Sequence, residues 1–131
     1  MKLGSSLGPE EDLKEQITRV PEEMDFIEFP LGEKEQMPED IDREGVIEAL
    51  EDNDFGLVVH LPFRQRLVTE IDEFNDAVLD YHRRLIRFSK QLGAEKFVIH
   101  ADMRDNESEE EEELISEQIR RMNKIGGRTR C

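Results

Sequence analysis

The sequence predicts an α/β protein of four βα units with parallel strands, on two observations. Short apolar runs of strand type alternate four times with longer runs of helical period. The strand runs are near-continuously apolar, the signature of strands covered on both faces as in parallel sheets built from βαβ crossovers. Four such units make either a small open sheet or one half of an eight-unit barrel, and periodicity alone does not choose between them.

The first unit opens with a short strand over residues 2–7. Pro9 stands where a first helical residue would, with Glu10, Glu11 and Asp12 in a favourable first turn, and Leu13, Ile17 and Val20 fall on one helical face. In the second unit DFIEF, residues 25–29, alternates as a strand. A loop marked by Gly32 and Pro38 then leads to a helix over about 42–52 carrying Val46, Ile47 and Leu50. LVVHL, residues 57–61, is the third strand.

The third helix has the clearest period. Phe74, Val78, Tyr81, Leu85, Phe88 and Leu92 recur every three or four residues, with Gly93 as the C-terminal stop. By this reading His82 lies on its polar flank. KFVIHA, residues 96–101, is the fourth strand. Ser108 with Glu111 reads as a capping box ahead of a face formed by Ile115, Ile119 and Met122, and Gly126-Gly127 ends that helix. The domain therefore covers residues 1–127, and 128–131 is a tail without pattern.

Length and composition agree with one small domain. The chain has 131 residues, 36% of them hydrophobic, with seven Phe and one Tyr. No stretch approaches the roughly 20 apolar residues of a membrane span, and Met1-Lys2 leads into a strand rather than a signal-peptide core, so a cytoplasmic location is expected. The single cysteine, Cys131, permits no intrachain disulfide and is assigned no catalytic role.

The formal charge is −15, with 33 acidic residues against 18 basic ones, twelve of the latter arginine. That balance argues against a nucleic-acid partner, which requires a basic face. An acidic excess spread along the whole chain resembles the surface of a protein from a salt-loving organism, where screening removes self-repulsion. Runs such as residues 109–113 read as solvated helix faces.

Alternation within the strands isolates three residues. If Phe26, Val58 and Val98 share a face, then Glu28, His60 and His100, each two residues later, share it too. Each then stands at the C-terminal end of its strand, where parallel α/β architectures bind ligands. One carboxylate and two imidazoles converging there suit a divalent metal or an acid/base pair. After the third strand, Arg64 and Arg66 either face solvent and balance Glu70, Asp72 and Glu73 or hold a phosphate or carboxylate by charge-assisted hydrogen bonds.

These segments carry a resemblance. VVHLPF (residues 58–63), LGAEKFVIHAD (residues 92–102) and FIEF (residues 26–29) are similar to motifs of the xylose isomerase-like TIM-barrel superfamily. That group includes sugar-phosphate isomerases and epimerases as well as endonuclease IV-type enzymes. The resemblance covers residues 1–125, as the N-terminal half of a (β/α)8 barrel.

It implies a sugar or sugar-phosphate isomerase or epimerase that depends on a divalent metal (Zn, Mn or Mg) when complete. His60 and His100 match strand-three and strand-four histidines that serve as metal ligands in endonuclease IV-like members and line the substrate site in others. Glu28 matches the strand-two acidic position and is the candidate catalytic residue. Phe63 replaces a common Tyr, and Ala101-Asp102 replaces Pro-Gly.

The family's metal-binding carboxylate follows strand five, and the chain is expected to stop before that strand, leaving the metal site incomplete. Two alternatives stand beside the isomerase reading. One is an endonuclease IV-like phosphodiesterase, which the charge disfavours. The other is a truncated, non-catalytic half-barrel that acts only by assembly, either as a homodimer or with a missing C-terminal half.

Overall fold

A computed structural model describes residues 1–9, 11–32, 36–62, 69–99, 112, 113 and 116–121, together with the backbone of 129 and 130. Five strands form one sheet in the order β1-β2-β3-β4-β5, every neighbouring pair parallel. They are β1 (Gly4–Ser6), β2 (Phe26–Pro30), β3 (Gly56–His60), β4 (Lys96–Val98) and β5 (Thr129–Arg130). Helices α1 (Leu13–Arg19), α2 (Arg43–Asn53) and α3 (Asp72–Gln91) fill the first three crossovers. Helical residues at 112, 113 and 116–121 lie in the fourth.

The alternation read from the strands decides which side of the sheet is core. Ile27, Phe29, Leu57, Val59, Phe97 and Ile99 are buried with the helices. The opposite set, Phe26, Glu28, Val58, His60 and Val98, is only partly covered. This is the asymmetry of half a barrel, whose inner face waits for the other half.

Local chemistry explains the helix starts. At α1 the Asp12 carboxylate accepts from the Glu15 backbone N–H at 3.2 Å, and at α2 the Asp42 carboxylate accepts from Gly45 N–H, also at 3.2 Å. Both are N-caps that satisfy a donor the helix itself cannot. Helix α1 therefore begins at Leu13, four residues after Pro9, and the expectation that Pro9 opens it is corrected. A carboxylate cap outcompetes a proline that only pre-sets φ.

Three further expectations are corrected. The buried face of α3 is centred on Leu79, His82, Leu85, Ile86 and Ser89, while Phe74 is 57% exposed. His82 accordingly sits in the core and not on the polar flank. Residues 129 and 130, expected in a tail without pattern, pair with β4 as a fifth parallel strand, Phe97 opposite Thr129 and Val98 opposite Arg130. The chain thus reaches the fifth strand that it was expected to stop before.

The capping box Ser108–Glu111, Ile115, Met122, Gly126-Gly127 and Cys131 lie outside the described residues. Among those described, no helix is long and apolar enough to cross a membrane.

Candidate functional site at the mouth of the sheet

Strand register brings two of the three strand-end residues together. Glu28 pairs in the ladder with Ser6 on one side and Val58 on the other, while His60 pairs with Pro30 and Val98. His60 therefore stands two residues further toward the C-terminal edge than Glu28, on the same face of the adjacent strand. The diagonal is within reach of long side chains, and His60 Nε2 donates to Glu28 Oε2.

Because a carboxylate accepts that bond, Nε2 carries the proton, which fixes one end of the imidazole. The Glu28 and His60 side chains are 27% and 31% exposed. They are open enough for a small molecule to touch and sheltered enough for the bond to hold its direction.

The backbone at both residues is tied down on the same edge. Leu7 N–H donates to Glu28 O at 2.8 Å, Leu31 N–H to His60 O at 2.9 Å and Leu61 N–H to Val98 O at 2.9 Å, so the ladder continues one residue beyond the strands proper. The β2–α2 loop is clamped as well. Gly32 N–H donates to Gln36 O at 2.9 Å, the Gln36 side-chain amide donates to Pro30 O, and the Tyr81 hydroxyl donates to Gly32 O at 2.8 Å.

Gly32 is required in that clamp on two counts. Its φ is +92°, and a Cβ there would lie 2.5 Å from a Leu85 methyl. The roles of Gln36 and Tyr81 were not foreseen from the sequence. Tyr81 reads there as a core position of α3, whereas the structure places it partly buried against the edge of the core, with its hydroxyl reaching the loop beside the site. Gln36 has no sequence signal at all.

A groove of about 450 Å³ runs from Glu28, Val58 and Val98 on the inner face to Asp25, Asp54 and Glu95 at the N-terminal ends of the strands, and His60 is not part of its lining. Lys96 shares the ladder row of Glu28 and Val58 and adds a cation on the same face, which strand alternation read backward from Val98 would have indicated.

His100, Arg64 and Arg66 lie outside the described residues. Among those described, no group of three or more His, Cys, Asp or Glu is placed to hold a metal ion. Glu28 and His60 supply two donors, and these are bonded to each other, whereas a catalytic zinc takes three protein ligands. The described residues alone therefore do not complete a metal centre.

No protein-family model and no curated protein matches the chain. Solved structures do. D-psicose 3-epimerase from Clostridium cellulolyticum H10, solved with D-tagatose, superposes with a TM-score of 0.73 at 14% identity, over 96% of this chain and 48% of that one. An L-ribulose 3-epimerase gives 0.72 at 13% identity, over 98% and 48%. The D-allulose 3-epimerase of Methylomonas sp., in complex with D-allulose, gives 0.70 at 12% identity, over 95% and 48%. The chain spans about half the length of each. Nothing among these matches points to an endonuclease. Four parallel βα units with a partly covered inner face, superposed on half of each epimerase, give this chain the fold of half a TIM barrel.

Proposed function

We propose that the chain is half of a sugar or sugar-phosphate isomerase or epimerase in which Glu28 moves a proton on the carbon beside the substrate's carbonyl. The observation that carries this reading is the hydrogen bond between His60 Nε2 and Glu28 at the C-terminal mouth of the sheet. The epimerase fold supports it, since each neighbour's name places a ketose or a ketose-converting activity on such a barrel.

In this reaction the Glu28 carboxylate takes the carbon-bound proton. The C–H electron pair moves into the bond to the carbonyl carbon, and the carbonyl oxygen takes up the charge as an enediolate. His60, donating to Glu28, holds the carboxylate in place. Returning the proton to the neighbouring carbon, while the hydroxyl proton passes from its oxygen to the former carbonyl oxygen, isomerises the sugar. Returning it to the same carbon from the opposite side inverts that centre, which needs a second proton carrier facing Glu28 across the mouth.

His60 and His100 are proposed as donors to a divalent ion, which would polarise the substrate oxygens when bound; for Nε2 to serve it, His60 would have to give up its proton and its bond to Glu28. Arg64 and Arg66, following β3, are proposed to take a phosphate or other anionic end of the substrate.

The test is solvent exchange. The chain is incubated with ketohexoses and a divalent metal in D2O, and deuterium on the carbon beside the carbonyl is read by NMR. Wild type is expected to incorporate it, and Glu28→Gln to slow incorporation by about a hundredfold or more. Exchange that proceeds unchanged in Glu28→Gln, or no exchange with any ketose, contradicts the reading.

A further inference from the structure

We propose that Tyr81 and Gln36 are positioning residues for the Glu28–His60 pair, supplying at the end of β2 the hydrogen bonds that prolines remove from the ladder. The register shows where rungs are lost. With Ser6 opposite Glu28 and Leu7 N–H on Glu28 O, the next rungs would run from residue 30 to Leu7 O and from residue 9 to Pro30 O. Both donors are prolines and carry no N–H. On the other side, Pro30 lies opposite His60 and Leu31 N–H donates to His60 O, so the next rung would run from residue 62 to Leu31 O. Residue 62 is proline as well.

Three rungs are therefore lost around Pro30 and Leu31, within three residues of Glu28. Groups from outside the sheet take their place. Gln36, only 3% exposed, donates its side-chain amide to Pro30 O, the carbonyl that Pro9 leaves without a ladder donor. Its backbone O accepts from Gly32 N–H at 2.9 Å, and the Tyr81 hydroxyl reaches in from α3 to donate to Gly32 O at 2.8 Å. The same hydroxyl lies 3.6 Å from Met37 Sδ, a weak acceptor, so its single proton goes to the carbonyl. Gln16 does the same after β1, accepting from Gly8 N–H at 3.1 Å and donating to Gly8 O at 2.8 Å.

The clamp reaches the pair through the backbone. Leu31, held between Pro30 and Gly32, makes the bond to His60 O that ties β3 to β2 where the imidazole leaves the strand. Glu28 precedes Pro30 by two residues on the same face. A β2 that frays from Pro30 onward removes the support that sets the diagonal between carboxylate and imidazole, and a displacement of about 1 Å is enough to spoil such an arrangement. A loss of rate in the proton transfer proposed above rests on that reading of Glu28, whereas the positioning of the pair does not.

The test is 13C relaxation of the histidine rings together with amide hydrogen exchange, in wild type, Tyr81→Phe and Gln36→Leu, with no sugar present. In wild type the His60 ring is expected to be nearly as ordered as that of buried His82. Each variant is expected to fold and to lose protection at Leu31 and Gly32 by at least about tenfold while Val59 on β3 keeps its own. The order parameter of the His60 ring should fall below about 0.6 and that of His82 should not move. Wild type in urea below its unfolding transition gives the same check without a variant, because protection of Leu31 and Gly32 and order of the His60 ring should be lost at one denaturant concentration. A His60 ring that stays ordered after that protection is lost makes the clamp structural only and overturns the proposal. Unchanged protection in both variants, or a wild-type His60 ring already disordered, overturns it too. A failure of ketoses to exchange with solvent would sink the reading of Glu28 alone, so the two can fail separately.

Discussion

At the residue scale, His82 shows how a buried polar group turns into a pH dependence. Its side chain has no exposed surface, its Nδ1–H donates to the Val78 carbonyl at 2.8 Å, and Nε2 finds no partner among the described residues. Burial lowers its pKa, and the bond to Val78 only partly opposes that shift. The folded state therefore prefers neutral imidazole. Stability from this group is fully present above the unfolded pKa, near 6.5, and is lost as pH falls below it, by up to about 1.4 kcal/mol per pH unit. Unfolding by urea at about pH 7.5 and pH 5 should show wild type losing more stability than His82→Leu across that interval. Equal losses would mean that the imidazole already has a partner when protonated.

Legibility also differed from residue to residue. Glu28 and His60 were readable because strand period is exactly two in geometry and depends on nothing else. Their joining needed register, which a sequence does not print. His82 was misread because a polar residue beside arginines looks exposed, and only the rotation of α3 about its axis shows otherwise.

At the scale of elements, α3 carries the main lesson. The stripe through Phe74, Val78, Tyr81, Leu85, Phe88 and Leu92 predicts the helix and its end correctly, because Gly93 at φ +94° follows its C-cap. It places the centre of the buried face wrongly, because Val78, Tyr81 and Phe88 form a flank packed against the core while Leu79 and Ile86 sit at its middle. Large aromatic residues dominate a sequence-level stripe even where they cover an edge. Leu79→Ala should therefore cost about 2–5 kcal/mol, whereas Phe74→Ala at its exposed position should cost less than about 1 kcal/mol. Thermal or urea unfolding of the two variants checks this, and comparable losses would restore the stripe read from the sequence. Strand β5 escaped sequence reading for a different reason. Two residues are too few to show any period, and only the edge of β4 makes them a strand.

Across the whole molecule, the four-unit α/β plan was legible and its fifth strand was not. Among the described residues, ion pairs such as Arg84–Glu39 and Arg120–Glu117, both at 2.7 Å, are exposed, and pairs of that kind contribute little. Stability rests on one helix-side core running from Leu13 on α1 to Ile99 beyond β4, against an acidic excess of −15. The inner face contributes nothing to that core. Among the described residues, the Glu28–His60 pair is the side-chain bond that it carries at the mouth.

The central claim, that this pair marks a carbohydrate site, is tested most directly by following the histidine ring resonances by NMR while a ketohexose is added to the chain. The signals of His60 are expected to move saturably while those of buried His82 stay in place, and Glu28→Ala should abolish the movement. Rings that do not respond, or His60 and His82 signals that drift together, would contradict it.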